Sequence, residues 1–585
     1  MLGTANEEIK KNGELEKYTE PLRERMDEEF ALYRGDEDVY DIPAEEGEWE
    51  RIITNRAMVE SNRIIEDLSY ANRKLYIPIS DEDREKRKDL TATENAAKGI
   101  LYLADTLMQD SPLGSDLQSL MAKYWVIRGM SVKRFLLREE EDKLIPDFAC
   151  WDGRNTQWVE GRRRYSWVGY TRWAHKSEVE DEYKGWNGQA DASTGLVKLL
   201  DVWDCSEPGK TAQEGVIDCS SSEYLREPKQ VKVNNVPLDY IPIHINTKRG
   251  MPLILDDNSE NIKFTAQSYL TNNKNLFTIE SRLLSYVLTA AAKDAKAPII
   301  IEWNGQGPSP IEKFRNQDPN VAGRVIVLDT SKGEALSNPL PPSNTQHILQ
   351  MYEALLGLLG IGGLNPVAFG RINQALPAQG IDILSHAAMA NERAFKAGLE
   401  GDFVWLASEA VRQYKLGDFD EREIRGYDSS SNPFIIKVSP KKIDDNWRFV
   451  CKIEPDLLRD KVAMLNAAVM AIKSGILSKR TARDEYQIVT DTDLEEGKVA
   501  QEQFRELSGM GMLEGLLNYI KDYQKTKSPE TLFLINHAYT NLMRLTAQGG
   551  NGDTPNMRPD NRVIASRMPM SNVPQPVNKP GGFAT

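Results

Sequence analysis

The chain has 585 residues and a formal net charge of −15, with 40% hydrophobic and 28% charged residues. That composition belongs to a folded protein long enough for several domains. It lacks the excess of lysine and arginine that would hold phosphate backbones or anionic bilayers by bulk attraction, so broad nonspecific nucleic-acid binding is excluded.

Four cysteines (Cys150, Cys205, Cys219 and Cys451) form no C-x-x-C pair, which argues against a disulfide framework and for a reducing compartment. The histidines His175, His244, His347, His386 and His537 show no H-x-x-x-H spacing, so no metal site is expected. The first residues carry neither a basic n-region nor an apolar h-region, so no signal peptide is expected. The longest nearly apolar run, 354–369, is interrupted by Asn365 and Pro366. It falls short of the roughly 20 residues that span a bilayer, and a cytoplasm-like solvent is expected.

Residues 5–40 are densely charged with helical periodicity through Tyr18, Leu22, Met26, Phe30 and Tyr33, and 36–50 reads as an acidic linker. A helix is expected over 51–75, ending before Pro78, and helical structure over 91–129, stopped by Gly129. From 131 to 264, aromatic and β-branched runs alternate with Gly, Asn, Asp and Pro, a strand-rich texture. An amphipathic helix follows at 276–294. After it comes an insert with strands at 299–303 and 324–328, then a second helix at 346–359, a glycine-rich apolar loop, and a long helix over 380–414. A smaller β patch is expected at 434–438 and 447–453, with Asp444, Asp445 and Asn446 as its turn. Helices resume after 457, and 548–585 holds too few large apolar residues to offset chain entropy, so it is expected to be disordered in isolation.

Catalytic signatures are missing from the sequence. The run Gly360-Ile-Gly-Gly-Leu-Asn365 fails as a dinucleotide loop because Asn365 stands where its last glycine belongs and a helix precedes it. There is no P-loop, no G-x-S-x-G and no H-E-x-x-H. Residues 151–186 interleave Arg162, Arg163, Arg164 and Arg172 with Trp158, Tyr165, Trp167, Tyr170 and Trp173. That stretch reads either as a nucleic-acid or polymer platform or, with greater weight, as a twisted hairpin with cross-strand aromatic pairs. The loop 360–380 is too apolar for an ordinary surface connection and is expected to pack on a neighbouring subunit or line a constriction. The insert 294–345 is too small for a private core and is expected to pair with copies of itself.

The collinear order of these phrases resembles the portal protein of a tailed bacteriophage over roughly residues 50–510. The phrases are the helix ending Leu120-Met-Ala-Lys-Tyr-Trp-Val-Ile-Arg-Gly129, the β-rich block with Arg154-Asn-Thr-Gln-Trp158 and Val202-Trp-Asp204, the helix–insert–helix–loop–helix array, and Ala471-Ile-Lys-Ser-Gly-Ile-Leu-Ser-Lys-Arg-Thr481. The resemblance implies an α+β subunit with wing, stem, clip and helical crown, assembling into a cyclic ring of twelve. Its parts would be an N-terminal charged segment at 1–50, a wing at 51–275, a stem helix at 276–294 and a clip at 295–345. A returning stem helix at 346–361, a tunnel loop at 362–379, a wing helix with β patch at 380–455, a crown at 456–547 and the tail 548–585 would follow.

In that role the protein is not an enzyme and needs no cofactor. It would be made in the host cytoplasm and would stand at one capsid vertex of the virion. Double-stranded DNA would pass its channel past Arg371, Asn373 and Gln374. The terminase large subunit and tail adaptors would dock at the clip through Trp303, Glu312, Lys313, Arg315 and Arg324. Major capsid and scaffolding proteins would be partners, and no membrane would be. Two other classes remain open: a polymer-acting enzyme using 151–186 with carboxylates among 88 acidic residues, and a membrane pore using 354–369.

Overall fold

The computed structural model describes residues 2–40, 51–78, 87–112, 114–141, 143–161, 164–207, 209–247, 259–295, 299–307, 325–332, 345–362, 392–417, 419–427, 433–444 and 448–454, with scattered positions beyond. The chain divides into two compact units, residues 1–464 and 465–585, and the architecture below is that of the first.

Helices α1 (Ala5–Tyr18) and α2 (Glu20–Arg34) open it, followed by the short α3 (Glu37–Tyr40). Thr4 and Glu7 form a reciprocal capping box at the start of α1, which satisfies amides the helix itself cannot. Leu22, Met26 and Leu32 of α2 are buried in the main core, so this charged segment is an integral part of the fold. Then come α4 (Arg56–Ser69), β1 (Asn72–Tyr76), α5 (Arg87–Gln109) and α6 (Leu117–Arg128). Asp116 caps α6 by accepting from the Ser119 amide at 2.6 Å. Gly129 ends it in the left-handed region at φ 73°. A Cβ there would also lie 2.1 Å from the Ala266 carbonyl oxygen, so only glycine fits.

Strands β2 (Ser131–Glu140) and β3 (Lys143–Trp151) form a hairpin. Next come β4 (Thr156–Glu160), β5 (Tyr165–His175), α7 (Lys176–Glu182), β6 (Leu196–Asp204), β7 (Gln213–Asp218) and β8 (Glu223–Gln230). Two-residue strands β9 (Lys232–Val233) and β10 (Val236–Pro237) precede β11 (Ile243–Asn246). Strands β4 to β8 make a five-stranded antiparallel meander, and β11-β2-β3 make a three-stranded sheet.

Strand alternation divides the meander's side chains between two faces. Trp167, Leu200, Val202 and Ile217 pack under α1 together with Ala5 and Ile9. Glu8 of α1 accepts from Trp167 Nε1 at 2.7 Å, and Thr19 donates to Gln157 at 2.8 Å. On the opposite face Trp203 joins the main core, and Tyr170 stacks on Trp151 of the three-stranded sheet at 4.7 Å between centroids.

The unit continues with α8 (Lys274–Ala295), β12 (Ile299–Trp303), β13 (Val325–Asp329), α9 (Thr345–Gly362) and α10 (Arg393–Leu416). It closes with β14 (Arg422–Tyr427), β15 (Pro433–Val438) and β16 (Val450–Glu454). Helix α10 buries Ala410 and Tyr414 together with Phe395, Leu399, Phe403 and Leu406, the last four contributing roughly 1.5–3 kcal/mol each as their area leaves water. Near the end of α10, Gln413 completes a strand. It donates to the Phe135 carbonyl at 2.9 Å and accepts from the Leu137 amide at 2.8 Å, standing in where β2 has run past the end of its pairing with β11.

The α+β class and the element order agree with the sequence, with three corrections. The expected helix 51–75 occupies only Arg56–Ser69, and Asn72–Tyr76 is a strand paired antiparallel with Val450–Glu454. The helical stretch 91–129 is two helices separated at 110–116, where Pro112 and Gly114 break the ladder. The β patch 434–453 is not a single hairpin, because β15 pairs with the upstream β14 and β16 with β1. The helices expected after 457 and the tail 548–585 lie essentially outside the described residues. Among the described residues no helix is long and apolar enough to cross a membrane.

Candidate functional site

The helix pair α8 and α9, with the strand pair carried between them, leaves several large apolar side chains exposed. Among the described residues of α8 beyond Glu280, the buried positions are hydroxyls: Ser281, Ser285 and Thr289, spaced four apart on one face. Residues 51–55 run along that face, with the Ile52 amide donating to Ser285 Oγ at 3.0 Å and the Thr54 amide to Ser281 Oγ at 3.2 Å. Ser285 and Thr289 return their own protons to carbonyls one turn back, at 2.9 and 2.7 Å.

Apolar side chains are left outside. Ile279 of α8 is 42% exposed, and Leu349, Met351, Leu356 and Leu358 of α9 are 44, 61, 36 and 53% exposed. Among the described residues of α9, only Leu355 and Leu359 reach the main core. A helix apolar around its circumference and buried on one stripe presents surface that water does not favour.

At the root of the pair sits a buried ionic cluster. Arg56 Nε donates to Glu60 Oε1 at 2.7 Å and Nη1 to Glu280 Oε1 at 3.3 Å, while Tyr269 donates to Glu60 Oε2 at 2.5 Å. Burial pushes the Glu280 carboxyl above its ordinary range against the opposing pull of Arg56. One arginine thus ties α4 to α8.

Strands β12 and β13 pair in parallel, Ile299 opposite Val325 through Trp303 opposite Asp329. Trp303 Nε1 donates to the Gln306 carbonyl at 3.1 Å, and the Thr330 hydroxyl donates to the Trp303 carbonyl at 3.0 Å. Asp329 accepts from the Ser331 hydroxyl and amide and pairs with Lys332 at 3.1 Å, which holds its carboxyl below the usual range, the Ser331 side chain contributing most. Parallel pairing excludes the tight hairpin that the turn residues after Trp303 alone would allow.

No protein-family model matches this chain, and no curated protein matches it.

Of the residues expected at the tunnel loop and the clip, only Trp303 lies among the described residues. Arg371, Asn373 and Gln374, and likewise Glu312, Lys313, Arg315 and Arg324, lie outside the described residues. The aromatic stretch 151–186 does not assemble into one platform. Trp167 is fully buried beneath α1, and Tyr170 and Arg172 alternate onto the opposite face of β5. Trp173 is 49% exposed, whereas Trp186 donates to Asp218 at 2.9 Å.

Two features escaped sequence reading. The Arg56, Glu60 and Glu280 cluster joins distant segments, and its one local signal is the four-residue spacing of Arg56 and Glu60 on α4. The second is a charged cleft between the two sheets, lined from β2, β3, β5, β6, β7 and β8, which no linear spacing announces. Among the described residues, no group of three or more His, Cys, Asp and Glu is arranged to hold a metal ion.

Proposed function

We propose that this chain is the portal protein of a tailed bacteriophage, forming a ring at one capsid vertex through which double-stranded DNA is packaged and ejected. The observation that carries this reading is the projection α8–β12/β13–α9, which buries hydroxyls inward and exposes Leu349, Met351, Leu356 and Leu358. Such a flank is covered if each copy packs against neighbours on both sides, and identical head-to-tail contacts close into a ring. On this reading α8 and α9 are the two stem helices, the β12/β13 insert is the clip, and the two-sheet region with α10 is the wing.

The two-stranded β12/β13 pair leaves backbone edges that neighbouring copies can extend. The clip would then dock the terminase large subunit during packaging and tail adaptors afterwards, with Trp303, Glu312, Lys313, Arg315 and Arg324 as contacts. Arg371, Asn373 and Gln374 would face DNA from the tunnel loop. Scaffolding and major capsid proteins would surround the ring in the virion. The acidic chain suits a channel, because a lumen with little net attraction lets phosphates slide, whereas clustered Lys and Arg would hold them. Hydrolysis of ATP would belong to the motor, and the portal itself would not be an enzyme.

Negative-stain images of the purified protein test this. Closed rings with an axial hole are expected. Isolated particles only, with scaffolding protein present, would overturn it.

A further inference from the structure

Between the three-stranded sheet and the meander lies an open cleft of about 240 Å³ that belongs to neither the helix pair nor its strands. One wall carries Arg134, Arg138 and Asp147. Both arginines pair with the same carboxylate, Arg134 Nη2 to Oδ1 at 2.5 Å and Arg138 Nη2 to Oδ2 at 2.9 Å, so this wall has a formal charge of +1. Arg134 Nε is buried and has no hydrogen-bond partner.

The facing wall satisfies its charges within itself. Asp201 Oδ2 takes Arg172 Nε at 3.1 Å, Glu182 takes Arg172 at 3.7 Å and Arg226 at 3.3 Å, and Glu214 takes Lys229 at 3.1 Å. Asp201 Oδ1 is the exception, buried and without a partner. No ion pair among the described residues crosses the cleft, although the Arg134 charge acts on Asp201 across it and its guanidinium lies 5.9 Å from the Trp203 ring centroid. Trp151 and Trp203, one from each sheet and both largely buried, also line the cleft.

A β-bulge marks the same place. The register of β7 against β8 shifts between Glu214 and Val216, where β8 carries the extra residue opposite Gly215, while Gly215 keeps its pairing with Val202 of β6. Bulges re-aim side chains and concentrate next to binding sites. An unfilled cationic donor and an unfilled carboxylate acceptor thus belong to facing walls of one cleft, which two indole rings also line. Each orphan costs desolvation energy that a bound group would return.

We infer that this cleft binds a small amino-acid zwitterion, its carboxylate on Arg134 and Arg138, its ammonium on Asp201, and its carbon chain over Trp151 and Trp203. A singly charged ion fills one orphan and leaves the other, so the two charges must arrive on one molecule. The inference stands apart from the ring, since every residue in it lies within the two sheets and α7 of one subunit.

The test is titration of the full-length protein with glycine, 4-aminobutyrate and 6-aminohexanoate, followed by tryptophan fluorescence and calorimetry. Hexanoate and hexylamine serve as singly charged controls. One zwitterion is expected to bind saturably and at least about tenfold more tightly than either control. Asp201→Asn should weaken it about tenfold. Arg138→Gln, at a rim side chain 36% exposed whose loss leaves the fold intact, should do so by a similar factor. Absence of saturable binding, equal binding of hexanoate or hexylamine, or unchanged affinity in folded Arg138→Gln would each overturn the assignment.

Discussion

Lys133 of β2 and Asp402 of α10 pair in the core with neither side chain exposed to solvent. Asp402 also accepts from Trp125 Nε1 at 2.8 Å and from Asn246 Nδ2 at 2.6 Å, so α6, β2, β11 and α10 all meet at one carboxylate. A buried charge is tolerable only when its partners are complete, and removing one of them leaves the other stranded. Asp402→Ala or Lys133→Met should each cost roughly 3–5 kcal/mol, read from the first transition in urea unfolding. The double variant Lys133→Met/Asp402→Leu should recover much of that loss. A double variant as destabilised as the two single losses added together would contradict the pairing.

Beside that pair, Gly398 lets α10 approach α6. A Cβ at this position would lie 2.6 Å from Trp125 Cζ2, and the indole is fixed by its bond to Asp402. Gly398→Ala should therefore destabilise by about 1–3 kcal/mol through overpacking, even though alanine is the better helix former. The additional variant Trp125→Phe, which shortens the ring, should relieve part of the loss in the same urea experiment.

Glu392 begins α10 at 4% exposure, with its carboxyl pushed up to about 7. Burial is the main cause, Asp67 adds to it, and Arg63 and Lys396 oppose it. The folded form thus favours the protonated acid. Its contribution is full below the ordinary value of 4.5 and is lost as pH rises through about 7, a difference on the order of 3 kcal/mol. Glu392→Gln should remove that slope and leave the variant the more stable protein at alkaline pH. Parallel stability curves for the two proteins across this range would contradict the assignment.

The exposed flank of α9 separates folding from assembly. Leu358 is 53% exposed in one subunit, so Leu358→Glu should change subunit stability by no more than about 0.5 kcal/mol. If neighbours cover this flank, the same variant buries a charge at each contact and should abolish oligomers. Sedimentation of wild type and variant at matched concentration checks it, and an unchanged distribution would remove the flank from any interface.

The helix–strand–helix order was legible because period 3.6 and period 2 change visibly at 295 and 345, and Gly129 announced its own left-handed cap. Pairings between distant segments were not legible. Strand β1 is Asn-Arg-Lys-Leu-Tyr, with one strongly apolar residue, and it is a strand only because β16 from the far end of the unit lies beside it. Asp444 to Asn446 offered a local turn, but the charged β14 takes β15 first. Strand parity separates Trp167 from Tyr170 and Arg172, so the aromatic stretch could have been assigned to two faces from sequence alone. That Glu8 covers Trp167 could not, since their contact spans two segments with no shared pattern. The cleft of Arg134 and Asp201 was hidden for the same reason, because it is assembled from six strands.

Native mass spectrometry of the purified protein bears most directly on the central claim. Twelve copies of the 66.1 kDa chain give about 793 kDa, and a single species of that mass is the predicted result. A 66.1 kDa monomer that persists at high concentration and with scaffolding protein present would contradict the portal reading.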